Sequence, residues 1–109
     1  MLNKKERLTK KEFDRFFSSG HRSHSPLFTL IHSKNDSFHG AVVVGKKVYK
    51  KAVSRNLLRR RVYNIIYRLS REKELSGVYI VLTKPAAAEA AFTELRKALE
   101  GLVKLSTKN

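Results

Sequence analysis

The sequence predicts one domain of mixed helix and strand over residues 1–109, ordered helix, strands, helix, strand, helix. Three observations predict it. A capping signal opens a short aromatic helix near the start. Apolar residues recur with the helical repeat through a long basic segment in the middle. Short β-rich runs bounded by Gly, Pro, Asn and Asp flank that segment on both sides. The composition agrees, with 41% hydrophobic residues, two Pro and five Gly, which fits neither a disordered nor a fibrous chain. A chain of 109 residues buries a single core without help from disulfides or structural metal.

The first helix is expected over residues 9–19. Thr9 stands three residues before Glu12, the spacing of a capping box, and Gly20 supplies the stop. Phe13, Phe16 and Phe17 share one side of this helix. A strand is expected over 27–32 and, after the turn-forming Lys34-Asn35-Asp36-Ser37, a second over 40–45, the two making a hairpin. Over 51–70, Leu58, Val62, Ile65, Ile66 and Leu69 recur at the spacing of a helix with one buried stripe. Gly77 opens a near-continuous apolar strand over 78–82, which Pro85 ends. A last amphipathic helix carries Phe92, Leu95, Leu99, Leu102 and Val103. By the general connection rule, the strands before and after the long helix lie parallel, with a right-handed crossover.

The charge balance points to a partner. The chain has 24 Lys and Arg against 9 Asp and Glu, a formal net charge of +15. Such an excess repels itself in the compact state and favours binding to a phosphate backbone through counterion release. An anionic membrane is the weaker reading, because the apolar helix faces are needed inside. With no Cys there is no disulfide framework, thiolate metal site or cysteine nucleophile, which suits a reducing cytoplasm. Residues 1–11 lack the apolar stretch of a secretion signal, and no apolar run reaches the length of a membrane span. The expectation is therefore a cytoplasmic nucleic-acid-binding chain with no membrane partner and no small-molecule substrate.

The cations concentrate in one place. Lys46, Lys47, Lys50, Lys51, Arg55, Arg59, Arg60 and Arg61 follow one another, and no carboxylate occurs between Asp36 and Glu72. At about 100° per residue, Asn56, Arg59, Arg60, Tyr63 and Tyr67 fall on a different arc from Leu58, Val62, Ile65 and Leu69. Arg offers a planar fork for phosphate, Asn can read a base edge or a 2′-hydroxyl, and Tyr offers a stacking surface. A cationic helix face can be merely solvated; the net charge favours binding.

Other chemistries find little support. His21 and His24 are expected in a loop without Cys or a nearby carboxylate, which argues against structural zinc, and His32 and His39 add no ligand pattern. Ser54 with a distant His is no better as a nucleophile pair, since any chain of this size offers one by chance. A protein nuclease using two metals needs clustered carboxylates, whereas Asp14, Asp36 and the Glu residues are scattered. No catalytic residue and no metal ligand is assigned.

The stretch VVVGKKVYKKAVSRNLLRRR, residues 42–61, resembles the signature of the bacterial ribonuclease P protein subunit. That pattern is a strand ending in a Lys-Lys pair, then Ala, then Arg-Asn, then two basic residues after a gap of two. Lys46, Lys47, Ala52, Arg55, Asn56, Arg59 and Arg60 match it position by position. RLTKKEFDRFFSSG near the start resembles the family's first helix, and VYIVLTKPAA with the closing helix resembles its ending. The chain departs from the pattern at Tyr63 and Asn64, which replace a usual Arg and acidic residue. It departs also at Gly45, which replaces a frequent Ser, and at Tyr49 and Lys50, in a linker often containing Gly.

The resemblance implies an α+β two-layer sandwich, shared with a domain of a small-subunit ribosomal protein. Its β-α-β crossover through the basic helix would be left-handed, opposite to the general rule. It also implies a division of labour: an RNA subunit with Mg²⁺ removes the 5′ leader of precursor tRNA, while the protein binds no cofactor itself and holds leader and RNA together. Contacts to the catalytic RNA carry over to Lys46, Lys47, Arg55, Asn56, Arg59 and Arg60. Lys50, Lys51 and Tyr63 join them from the reading of the basic face. The family's leader cleft, between the first helix and the sheet, carries over to Phe13 and Phe17 and, by strand alignment, to Thr29 and Ile31. Helical spacing alone leaves Phe13 and Phe17 open between cleft and core, while Phe16 and Phe28 are assigned to the core. A ribosomal or other structural RNA-binding protein, and a DNA-binding module, are the alternatives.

Overall fold

The structure is a computed structural model that describes residues 4–107. After a 3₁₀ turn at Lys4–Glu6, helix α1 spans Lys10–Ser19. It begins where the capping signal places it. The Thr9 hydroxyl accepts from the Glu12 backbone N–H at 3.2 Å, and the Glu12 carboxylate accepts from the Thr9 N–H at 2.9 Å. Strand β1 follows at His21–His24, then β2 at Phe28–Ser33 and β3 at Phe38–Val43. Helix α2 runs over Ala52–Glu72, β4 over Gly77–Thr83, a 3₁₀ turn over Pro85–Glu89 and α3 over Phe92–Thr107.

The four strands form one sheet in the order β1-β2-β4-β3. β4 is antiparallel to β2 and parallel to β3, so α2 is the crossover joining the parallel neighbours β3 and β4. The expected hairpin is therefore corrected: β2 and β3 do not pair, because β4 lies between them. The Gly77 N–H donates to Ser37 O at 3.2 Å, where β4 enters that gap. The cause is burial. Val78, Tyr79, Ile80 and Val81 are all exposed by 1% or less, and a strand apolar on both faces belongs in the sheet's interior. Gly77 has φ +109°, a conformation that side chains with a Cβ resist.

The sheet buries its two faces unequally. On one side α2 and α3 pack over Phe28, Leu30, Phe38, Val42, Tyr79 and Val81, with Leu58, Val62, Ile65, Ile66 and Leu69 from α2 and Leu95, Leu99, Leu102 and Val103 from α3. These are the two main layers. On the other side α1 adds a short cover, with Leu8, Phe13, Phe16 and Phe17 against Ile31, Val78 and Ile80. Phe28 is wholly buried, whereas Phe16 is only half-buried beneath Arg15, whose guanidinium lies 5.1 Å from its ring. Gly20 lets the chain turn closely past β2, since a Cβ there would stand 2.5 Å from Ile31 Cγ2.

Candidate nucleic-acid interface

The basic surface is built from the turn after β3 and the first half of α2. Lys46, Lys47, Lys50 and Lys51 are exposed in that turn, and Asn56, Arg60 and Arg61 are exposed on the helix. Arg55 is partly committed: its guanidinium donates to the carbonyls of Tyr49 at 3.0 Å and Lys50 at 2.7 Å, which fixes the turn on the helix. Arg59 donates to the Asn56 side-chain oxygen at 2.5 Å, so the two present one polar unit. Tyr63 is half-buried and packs against the larger core, leaving part of its ring at the surface.

Electrostatics differ along α2. Among the described residues the ion pairs gather at its far end, where Arg71 meets Glu6 at 2.8 Å and Arg96 meets Glu72 at 2.7 Å. The Arg96 hydrogen bond holds the Glu72 carboxyl below the usual carboxylate range. Arg71 also lies over the Tyr67 ring at 4.5 Å. None of the ion pairs formed among the described residues involves the cations of 46–61.

The second candidate surface lies on the opposite face of the sheet. Side chains alternate along a strand, and the register sets them in rows. Arg22, Ile31, Ile80 and Ala41 form one row, largely under α1; His24, Thr29, Leu82 and Val43 form the next. His24 and Val43 are exposed, Leu82 is half-buried and Thr29 is buried, its hydroxyl 3.0 Å from His24 Nδ1. Phe13 and Phe17 stack at 5.6 Å, both half-buried, over the cluster of Ile31, Val78 and Ile80. Arg22 reaches over the Phe17 ring at 4.8 Å and donates to Phe17 O at 3.1 Å. Of the four residues assigned to a cleft, Phe13 and Phe17 keep accessible surface, while Ile31 at 1% and Thr29 at 7% exposure lie beneath it.

Two features escaped the sequence reading. His21 and His24 are in β1, not in a loop, because His21-Arg22-Ser23-His24 has no apolar residue to signal a strand. Its pairing with β2 brings His24 to the open row and Arg22 to the row beside it. Val53 and Leu57 are the other omission: both are exposed on α2 among the cations, and their position off the buried stripe was readable from spacing. As for metal, the described residues contain no group of three or more His, Asp or Glu able to hold an ion.

Comparison with known proteins gives these surfaces a context. The family model described as Ribonuclease P matches residues 2–106. The chain is 35% identical over 85 residues to the ribonuclease P protein component of a Synechococcus species, covering 72% of this chain and 66% of that one. It is 34% identical to the component from Phytoplasma australiense, covering 85% and 84% of the two chains. The structure superposes on the RNase P protein from Thermotoga maritima with a TM-score of 0.78 and 27% identity, over 91% of this chain and 96% of that one. With this fold and that match over nearly its whole length, the chain belongs to the ribonuclease P protein family.

Proposed function

We propose that this chain serves ribonuclease P through two separate surfaces, one for the catalytic RNA and one for the 5′ leader of precursor tRNA. As a member of this family it is the protein cofactor of a ribonucleoprotein endoribonuclease, acting in removal of the leader during tRNA 5′ maturation. The RNA surface comprises Lys46, Lys47, Lys50, Lys51, Arg55, Asn56, Arg59, Arg60 and Tyr63. The observation that carries it is the run of eight named cations from Lys46 to Arg61 with no carboxylate between Asp36 and Glu72. The leader surface comprises Phe13 and Phe17 with the open row His24, Thr29, Leu82 and Val43, and Ile31 supports it from below. Unpaired leader bases would stack on the rings, and Arg22 would meet a phosphate.

In this proposal the RNA subunit and its Mg²⁺ carry the chemistry, and the protein supplies affinity. The scattered carboxylates support that division. The complex would work in the cytoplasm; no described helix is long and apolar enough to cross a membrane.

The test is reconstitution. The protein with a bacterial ribonuclease P RNA at modest Mg²⁺ should cleave precursor tRNA faster than the RNA alone, and the protein alone should not cleave. RNA-free cleavage by a preparation cleared of contaminants would overturn the division of labour. Replacing Arg59 or Arg60 by Ala should flatten the slope of log affinity against log salt by about 0.7 to 0.9 each. Wild-type slopes in both variants would mean that this face is only solvated.

A further inference from the structure

The outer face of α2 carries two apolar side chains that the fold does not use. Val53 is 79% exposed and Leu57 51%. They stand one turn apart, and at about 100° per residue they point away from the stripe of Leu58, Val62 and Ile65 that enters the core. Arg60 and Arg61 follow Leu57 on the same side of the helix.

Beside Leu57 lies a notch of about 90 Å³ between α2 and the 3₁₀ turn Pro85–Glu89. Tyr49, Leu57, Leu58, Arg61, Ala87 and Ala88 line it. Leu58 and Ala87 are buried and give it an apolar floor. The Tyr49 hydroxyl donates to Ala88 O at 2.7 Å, so that ring is already fixed. Ligand pockets for organic small molecules run to roughly 300–1,000 Å³. This notch admits the edge of one planar ring.

The surroundings select the occupant. A seat with an apolar floor and a wall made partly polar by Ser54, set among cations, suits a polyanion that presents flat apolar faces with polar edges, which describes an unpaired nucleobase between its own phosphates. The Arg61 guanidinium at the rim can lie flat on such a ring. A second copy of this chain is disfavoured, because each copy brings a net charge of +15. We propose that Val53, Leu57 and the notch beside Leu57 form a seat for one unpaired base of the catalytic RNA. This rests on the assignment of α2 to that RNA and adds an apolar contact to its ionic ones.

The two kinds of contact differ in their response to salt. Ionic contacts release counterions and steepen the salt dependence, whereas an apolar contact changes affinity at every salt concentration alike. The test measures binding of the intact protein to a bacterial ribonuclease P RNA across a salt series. Val53→Ala with Leu57→Ala keeps helix propensity high, and thermal unfolding should match the wild type. The double variant should lose about 5-fold or more in affinity, the lower end of one base-stacking contact, with an unchanged slope. Arg61→Ala should instead flatten the slope. Inorganic polyphosphate, which has no bases, should bind the double variant and the wild type equally.

Equal RNA affinity of the double variant and the wild type would overturn the seat while leaving the ionic assignment of α2 standing. Equal losses on RNA and polyphosphate would also overturn it, as would a wild-type dimer that the double variant dissociates in sedimentation. A shallow wild-type salt slope is a different failure: it would remove the RNA assignment of α2 itself.

Discussion

The N-terminal ends of α1 and α2 solve the same problem in opposite ways. Every helix begins with backbone N–H groups that have no partner in the helix. At α1 the chain satisfies itself: Thr9 and Glu12 close a reciprocal capping box, and Glu12 places an acidic group in the first turn. At α2 the cap residue is Lys51, with no side-chain cap hydrogen bond and no acidic residue in the first turn. Lys46, Lys47, Lys50 and Lys51 precede that end, where cations oppose the helix dipole. The Arg55 bonds to Tyr49 and Lys50 hold the turn in place without supplying an anion. One end closes on itself. The other has no side-chain cap and is held instead by the Arg55 bonds to the turn before it.

The comparison breaks first if α1 is not held firmly to the sheet. Ile31 is the test, since it lies under Phe13, Phe16 and Phe17. Ile31→Ala should cost about 2 to 5 kcal/mol in denaturant unfolding, while affinity for the catalytic RNA stays near wild type. A loss below about 1 kcal/mol would mean that the α1 contact is loose.

A smaller effect of mixed sign sharpens the contrast. Lys51→Asp gives α2 the cap it lacks, and should stabilise the free protein by about 1 kcal/mol. The same change should weaken RNA binding and flatten its salt slope by about 0.7 to 0.9. Stability and binding falling together would show that the cap position is not held in trade between them.

The smallest effect concerns acid. Glu12 is held below the usual carboxylate range chiefly by the Thr9 backbone bond, then by the Thr9 side-chain bond. A depressed folded pKa contributes stability that is present above the unfolded value and lost as pH falls through the folded one. Protection of amides from exchange at the start of α1, relative to the unstructured chain at the same pH, should therefore fall below the ordinary glutamate range, and Glu12→Gln should abolish that dependence. The start of α2, with no carboxylate, should lack it. Equal acid dependence at both ends would remove the distinction.

Much of this was legible because it is local. Thr9 and Glu12 sit three residues apart, and Leu58, Val62, Ile65 and Leu69 announce the buried stripe of α2 from spacing alone. The parallel relation of β3 and β4 followed from a helix of that length between two strands. What escaped is non-local or chemically silent. Nothing within residues 27–45 reveals that a strand forty residues later separates β2 from β3. β1 carries no apolar residue and is a strand because β2 offers it an edge. For the cleft, the resemblance pointed to the face of the sheet beside α1, yet alternation along β2 could not tell whether Thr29 and Ile31 would face open surface or the underside of α1.

The position of β4 also governs the order in which the chain becomes functional during synthesis. β2 and β3 emerge from the ribosome as neighbours in sequence that have nothing between them to pair with. The sheet waits for residues 77–83, and α2 waits longer for Leu95, Leu99 and Leu102 of α3 to close its core. At roughly 5 to 20 residues per second, about 1 to 3 seconds separate the addition of Arg61 from that of Gly77. Until then the Lys46-to-Arg61 segment has neither the sheet nor α3 to fix its shape. The shape of the basic segment is therefore fixed by residues synthesised after it.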